Sequence, residues 1–248
     1  MKPKKGVVLL IDEIDREWLR LMKEAKLDVL GIHEIVTEKP NSVQKVLNRI
    51  AEPAVRRMLD EYEQSGISLE YELHALEWLL PRDMFDKSPE FFRVGDDGER
   101  KRELNCCVSN SDALEIISEN ARKLAKLLGQ SSHNYCLWPD DSFHSLCKCE
   151  KCRALRTGAD HNIIMMNAII RGLRAYDSDA KLSYIAYADF LDVPELKPDE
   201  GLFLEFAPMQ RNQRVPMRDP NDAKNSEYRA LLTQLLNIFE PSSSRVLE

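Results

Sequence analysis

The chain has 248 residues, 43% of them hydrophobic and 31% charged, which is enough for one large α/β domain or two small ones. A net charge of −7 argues against a general nucleic-acid surface, and no apolar run approaches the ~20 residues that a membrane span requires. Six cysteines are too few to make a disulfide scaffold of a chain this long, and three of them fall together at Cys147, Cys149 and Cys152, which favours metal or structural thiols.

Met1-Lys-Pro-Lys-Lys is basic, but the apolar run behind it is short and soon meets Asp12 and Glu13, so it reads as a first strand and not a signal peptide. That strand, Gly6–Ile11, is continuous and rich in branched residues, as expected where both faces are covered. Asp15 is placed to cap a helix in which Trp18, Leu19, Leu21 and Met22 recur at helical spacing up to Lys26. Val29–Ile35 is a second buried strand with polar residues near its end. Residues 42–64 form an amphipathic helix that Pro53 should kink or divide and Ser65-Gly66 should end. Ile67–Leu73 is a third strand, leading to His74.

Residues 76–103 are loop-rich, punctuated by Pro81, Pro89, Gly95 and Gly98, with a turn at Asp96-Asp97-Gly98. A connection this long is usually functional in a compact domain. Asn110 or Ser111 starts a helix that runs through Leu128, with Leu114, Ile117, Ala121, Leu124 and Leu128 on one face and Gly129 as its stop. Tyr135–Trp138 is the fourth strand. Asp160 is a candidate cap for a helix over Ile163–Tyr176. Lys181–Tyr187 and Leu202–Ala207 are the fifth and sixth strands, Glu227–Phe239 is a further helix, and Arg245–Glu248 begins a seventh strand. Strands alternate with helices and no hairpin signal intervenes, which calls for a parallel sheet. The expected fold is α/β, a (β/α)8 TIM-barrel-like domain over residues 1–248, incomplete, with six to seven strands present; a doubly wound open sheet is the alternative. Neither a GxGxxG nor a GxxxxGK[ST] pattern occurs, so nothing points to a dinucleotide or P-loop site.

Two stretches carry chemistry. The fourth strand breaks at Pro139 into Asp140 and Asp141. Glycoside hydrolysis needs one carboxyl to protonate the leaving oxygen and a second group to stabilise or attack the oxocarbenium-like centre, and neighbouring acids can divide those roles. Consecutive strand residues point to opposite faces, so both acids reach one pocket only if the strand breaks there. The plainer reading is a turn or helix cap. Six residues after Asp141, Cys147-Lys-Cys149-Glu-Lys-Cys152 supplies three soft ligands where tetrahedral zinc wants four. Cys107 is the best fourth, with His144 its local rival. A set of four protein ligands makes a structural zinc site and not a catalytic one, since no position stays open for water. The alternatives are reduced thiols, a Cys147–Cys152 disulfide, or a Cys–His nucleophile, for which no supporting context is present. No cofactor is expected for catalysis. His74, Trp138 and Tyr187 stand at strand ends where a sugar would be held or stacked, and Arg211 beyond the sixth strand is placed to pair with an acidic sugar; core packing or a surface ion pair is the plain alternative for each.

Several segments, taken together, resemble the bacterial domain of unknown function 4838 family, a carbohydrate-associated group. They are Ser88-Pro-Glu-Phe-Phe92, Cys107-Val-Ser-Asn110, Pro139-Asp-Asp141, the Cys147–Leu155 stretch, and Ile185-Ala-Tyr187. The resemblance implies a glycosidase-like barrel, often following an α-glucuronidase-like domain, so that residues 1–248 would be an excerpt whose partners are a carbohydrate substrate and the remaining domains of its own parent chain. The compartment is left open: cytoplasmic as the chain stands, secreted if the parent carries a signal peptide. The layout is similar, more distantly, to family 20 β-hexosaminidases, whose fourth strand ends in an Asp-Glu pair with the Glu as general acid. That similarity puts Asp140-Asp141 in the pair's place and His74 at a sugar-binding His, with an Asp one methylene shorter than the family's acid. It implies Asp141 as general acid and Asp140 as the group that positions substrate or stabilises charge.

Overall fold

The computed structural model describes residues 3–34 and 41–247. Seven strands run in chain order and all parallel: β1 (Gly6–Leu10), β2 (Val29–His33), β3 (Ser68–His74), β4 (Asn134–Trp138), β5 (Lys181–Ala186), β6 (Leu202–Phe206) and β7 (Arg245–Val246). An order that never reverses has no switch point, so the doubly wound alternative is set aside and the sheet is that of a (β/α) barrel. The sheet is strongly curled. Arg245 on β7 reaches Glu70 on β3 at 2.5 Å across the concave face. The expected residues Ile35 and Glu248 lie outside those described.

The helices α1 (Arg16–Ala25), α2 (Ser42–Ala51), α3 (Pro53–Gln64), α4 (Leu76–Leu79), α5 (Ser111–Leu128), α6 (Glu150–Arg153), α7 (Gly158–Arg174) and α8 (Ala223–Leu235) lie in the crossovers, except that from β5 to β6, which has only a 3-10 turn at Ala188–Phe190. Local chemistry sets their ends. Asp15 and Asn110 accept from the Trp18 and Ala113 amides at 2.9 Å and cap α1 and α5. Gly129 stops α5 at φ 57°, in the left-handed region. Pro53 divides the 42–64 segment into two helices by opening α3 at its first turn.

Two helix starts differ from expectation. The α7 cap is Thr157, whose hydroxyl accepts from the Asp160 amide at 3.0 Å. Asp160 instead lies buried inside the first turn, accepting from the Glu195 and Leu196 amides at 2.8 Å and anchoring the loop after β5. The last helix begins at Ala223, earlier than expected, because Asp222 caps it through the Asn225 amide at 2.8 Å.

The main core lies between the convex face of the sheet and the helices. Tyr71 and Leu73 of β3, Tyr135 and Leu137 of β4, and Leu182 and Tyr184 of β5 point into it, with Met165 and Met166 of α7 packed there as well. At the crossing of α5 and α7 the backbones come so close that a Cβ on Gly172 would fall inside the Ser118 carbonyl oxygen. A second, smaller cluster of Cys136, Trp138, Ile185, Phe203 and Ala207 lines the concave face. Period-2 alternation assigns Glu70, Glu72 and His74 to that same inner face.

Candidate functional site

Three groups of reactive side chains stand out among the described residues. The first is at the carboxyl mouth of β2, β3 and β4. The rings of His33, His74 and Trp138 form a triangle with centroids 5.3–5.8 Å apart. His33 Nδ1 is 2.7 Å from the Glu34 carbonyl and His74 Nδ1 is 2.7 Å from the Pro139 carbonyl. A carbonyl oxygen can only accept, so both rings carry a proton on Nδ1 and turn Nε2 away from these carbonyls. Glu34 is fully buried beside them. Its Oε1 accepts the His74 amide at 3.0 Å, while its Oε2, 3.5 Å from His33 Nδ1, has no hydrogen-bond partner among the described residues. Ligand atoms of His33, Glu34 and His74 all lie within 4.8 Å of one another.

The second group lies on the inner face below this mouth. Arg245 reaches Glu70 at 2.5 Å, Glu205 at 2.6 Å and Glu72 at 3.5 Å, with its Nη2 2.7 Å from the Cys136 sulfur. Three buried carboxylates share one guanidinium. Burial, with Glu205 and Glu70 adding repulsion against the pull of Arg245, raises the Glu72 carboxyl to about 8. Burial likewise pushes the Cys136 thiol well up. The carboxylate of Glu72 occupies the space a side chain at residue 31 would take, because a Cβ on Gly31 would stand 2.7 Å from Glu72 Oε1. Trp138 Nε1 donates to Glu205 Oε2 at 2.8 Å and Ser183 Oγ at 2.9 Å, which joins the aromatic mouth to this charged layer.

The third group is the thiol cluster. Cys107 comes from the loop between β3 and α5, and Cys147, Cys149 and Cys152 from the loop between β4 and α7. Their sulfurs all lie within 4.8 Å of one another, with Cys107 3.7 Å from Cys149 and 3.9 Å from Cys152. His144, the rival fourth ligand, is exposed on the neighbouring turn, where its amide donates to Asp189. Hydrogen bonds from Cys147 and Cys152 hold the Cys107 thiol far below the ordinary range, and the same bonds push Cys147 up to about 11 and Cys152 further still. Cys106, next in sequence, faces away into the core, and burial takes its thiol to about 12.

The two acids after β4 part company. Asp140 is buried, with Oδ2 2.5 Å from Arg82 Nη2 and its amide donating to Asn105 Oδ1 at 3.1 Å. Asp141 is exposed and neighbours Tyr187, whose phenol is raised by burial and by that carboxylate. Tyr187 also faces Phe143, ring centroids 6.3 Å apart. Arg211 sits half-buried in the loop after β6, in a turn closed by its amide on the Pro208 carbonyl at 3.0 Å. The structure thus brings His74 and Trp138 together and Asp141 with Tyr187. The sequence reading missed His33 and Glu34 at the mouth and the Glu70–Glu72–Glu205–Arg245 layer.

The profile of the domain of unknown function 4838 family matches residues 41–240. The chain belongs to this family. Among solved structures, a β-galactosidase from Bacillus circulans sp. alkalophilus aligns at 14% identity over 87% of this chain and 40% of its own, with a TM-score of 0.50. A family 5 lichenase from Caldicellulosiruptor sp. F32 aligns at 12% identity, over 94% of this chain and 65% of its own, with a TM-score of 0.46. The described chain therefore spans under half the length of the first and about two thirds of the second. No curated protein matches the sequence. The family's barrel is glycosidase-like in fold, and no helix among the described residues is long and apolar enough to cross a membrane.

Proposed function

We propose that the chain is a glycoside hydrolase-like domain that takes a carbohydrate at the carboxyl mouth of its strands, with Asp141 as the proton donor to the departing oxygen. The observation that carries this reading is the mouth itself. Three rings and the buried Glu34 carboxylate converge at the end of the barrel where such folds hold their substrates. The part-buried His33 and His74 rings offer their Nε2 atoms to a sugar hydroxyl, with buried Glu34 and Trp138 forming the floor behind them. Asp140 is held by Arg82 and acts through charge and position. Asp141, exposed beside Tyr187 and Phe143, is the acid with freedom to transfer a proton.

The test is turnover on a panel of aryl glycosides and polysaccharides. Asp141→Asn is expected to lower turnover by about 10²-fold or more, the usual scale for a lost general acid. Unchanged turnover removes Asp141 from the role. A second reading, a carbohydrate-recognition domain without hydrolysis, is favoured by the capture of Asp140, which leaves one exposed acid at the tip of β4. It predicts glycan binding that survives Asp141→Asn with no release of reducing ends. Absence of both binding and turnover on every glycan tested would end both readings.

A further inference from the structure

We propose that Cys107, Cys147, Cys149 and Cys152 bind one zinc ion, and that this ion clamps the β3–α5 loop to the β4–α7 loop so that Arg82 is held against Asp140.

The distances are those of a tetrahedral thiolate site. With Zn–S near ~2.3 Å, the edge of the tetrahedron is roughly 3.8 Å. Cys107 stands 3.7 Å from Cys149 and 3.9 Å from Cys152. Those separations are too long for a disulfide, whose bond is about 2.05 Å, and all six cysteines are free. Two thiols would serve a redox pair, whereas four converging ones match a closed metal set with no position left for water.

Donors surround the cluster as a metal-bound thiolate set requires. The Val94 amide donates to the Cys147 sulfur at 3.3 Å. The Ser109 hydroxyl lies 3.3 Å from Cys107 and 3.5 Å from Cys149. His161 Nε2 is 3.2 Å from the Cys152 carbonyl, which fixes the backbone of that ligand. Such partners orient ligands and offset the negative charge that four thiolates leave on a divalent ion.

The clamp follows from where the ligands start. Cys107 comes from one side of the seam between the two loops, and Cys147, Cys149 and Cys152 come from the other. The Lys148 amide donates to the Val94 carbonyl at 2.8 Å, Asn105 Nδ2 donates to Ser145 Oγ at 2.7 Å, and Asn105 Oδ1 accepts the Asp140 amide. The same seam ends in the Arg82–Asp140 pair. This inference stands apart from the sugar chemistry, since it needs no catalysis to be tested.

The experiment is elemental analysis of the purified, reduced chain, followed by chelation and re-addition of zinc chloride. One zinc per chain is expected as isolated, none after chelation, and one again on re-addition. Cys107→Ser and Cys149→Ser are expected to lose the metal and Cys106→Ser to keep it. Where a serine variant fails to fold, cobalt titration of the unaltered, chelated chain should give the visible bands of tetrahedral tetrathiolate cobalt. Amide exchange across residues 82–107 and 140–152 should quicken without zinc while α5 stays protected. A reduced chain that takes up no zinc from excess, with thiols equally reactive with and without it, overturns the site. Stoichiometric iron in place of zinc overturns the metal. Unchanged exchange across the two loops overturns the clamp.

Discussion

Arg82 Nη2 lies 2.5 Å from Asp140 Oδ2, so the guanidinium of the loop after β3 is committed to the first of the two acids that end β4. Both side chains are largely buried, and one further Arg82 nitrogen, Nη1, has no hydrogen-bond partner among the described residues. Removing the cation leaves an uncompensated carboxylate in a dry setting. Arg82→Met is expected to cost about 3 kcal/mol, while the double variant with Asp140→Asn recovers most of it. A denaturant series on the four proteins of this cycle measures the coupling, and additive losses would show the pair to be independent.

Glu72 gives stability a pH dependence of unusual sign for a carboxyl. Its folded value near 8 lies above the ordinary 4.5, so between those values the folded chain holds a proton that the unfolded chain has released. The contribution is complete below about 4.5 and falls away as pH rises through 8. Glu72→Gln should flatten this slope and melt higher than the parent at pH 9. Parallel melting curves from pH 5 to 9 for the two proteins would refute it.

Trp138 holds Glu205 and Ser183 through a single indole N–H. Trp138→Phe keeps the ring and removes the donor, leaving a buried carboxylate oxygen short of one hydrogen bond. A loss of about 1–3 kcal/mol is expected by chemical denaturation. Glycan binding, in the proposed site, should weaken far less than in Trp138→Ala, because the ring that backs His33 and His74 remains; equal weakening would move the sugar elsewhere.

Gly172→Ala tests the helix crossing behind the site. The Cβ would meet the backbone carbonyl of Ser118, which cannot turn aside as a side chain can. Separation of α5 from α7 should cost about 3 kcal/mol and lower the melting temperature. A variant as stable as the parent would mean the two helices can slide apart freely.

Strands β1 to β6 were legible because they are short runs rich in apolar branched and aromatic residues, most of them followed by a helix before the next strand. Their order in the sheet followed from the absence of hairpins. The ends were less legible. Asp160 reads as a cap by type, yet its carboxylate binds the Glu195 and Leu196 amides from a loop far along the chain. Cys147, Cys149 and Cys152 announced themselves by spacing, and Cys107 joined them because the β3 and β4 loops share a rim. The inner charged layer carried a real signal in Glu70-Tyr71-Glu72, where the polar residues hold one parity and the apolar ones the other. What no local pattern could supply was the cation, since Arg245 stands 175 residues from Glu70. Glu34 was hidden for a similar reason, as its role rests on a histidine from the next strand.

That separation bears on the order in which the molecule can be completed. During synthesis Glu70, Glu72 and Glu205 all leave the ribosome before the guanidinium that will pair with them. Until residue 245 emerges, the nascent sheet must keep those acids wet or protonated, and its interior cannot dry. The short strand β7 therefore acts as a keystone, and the desolvation of this charged layer waits until Arg245 has been made.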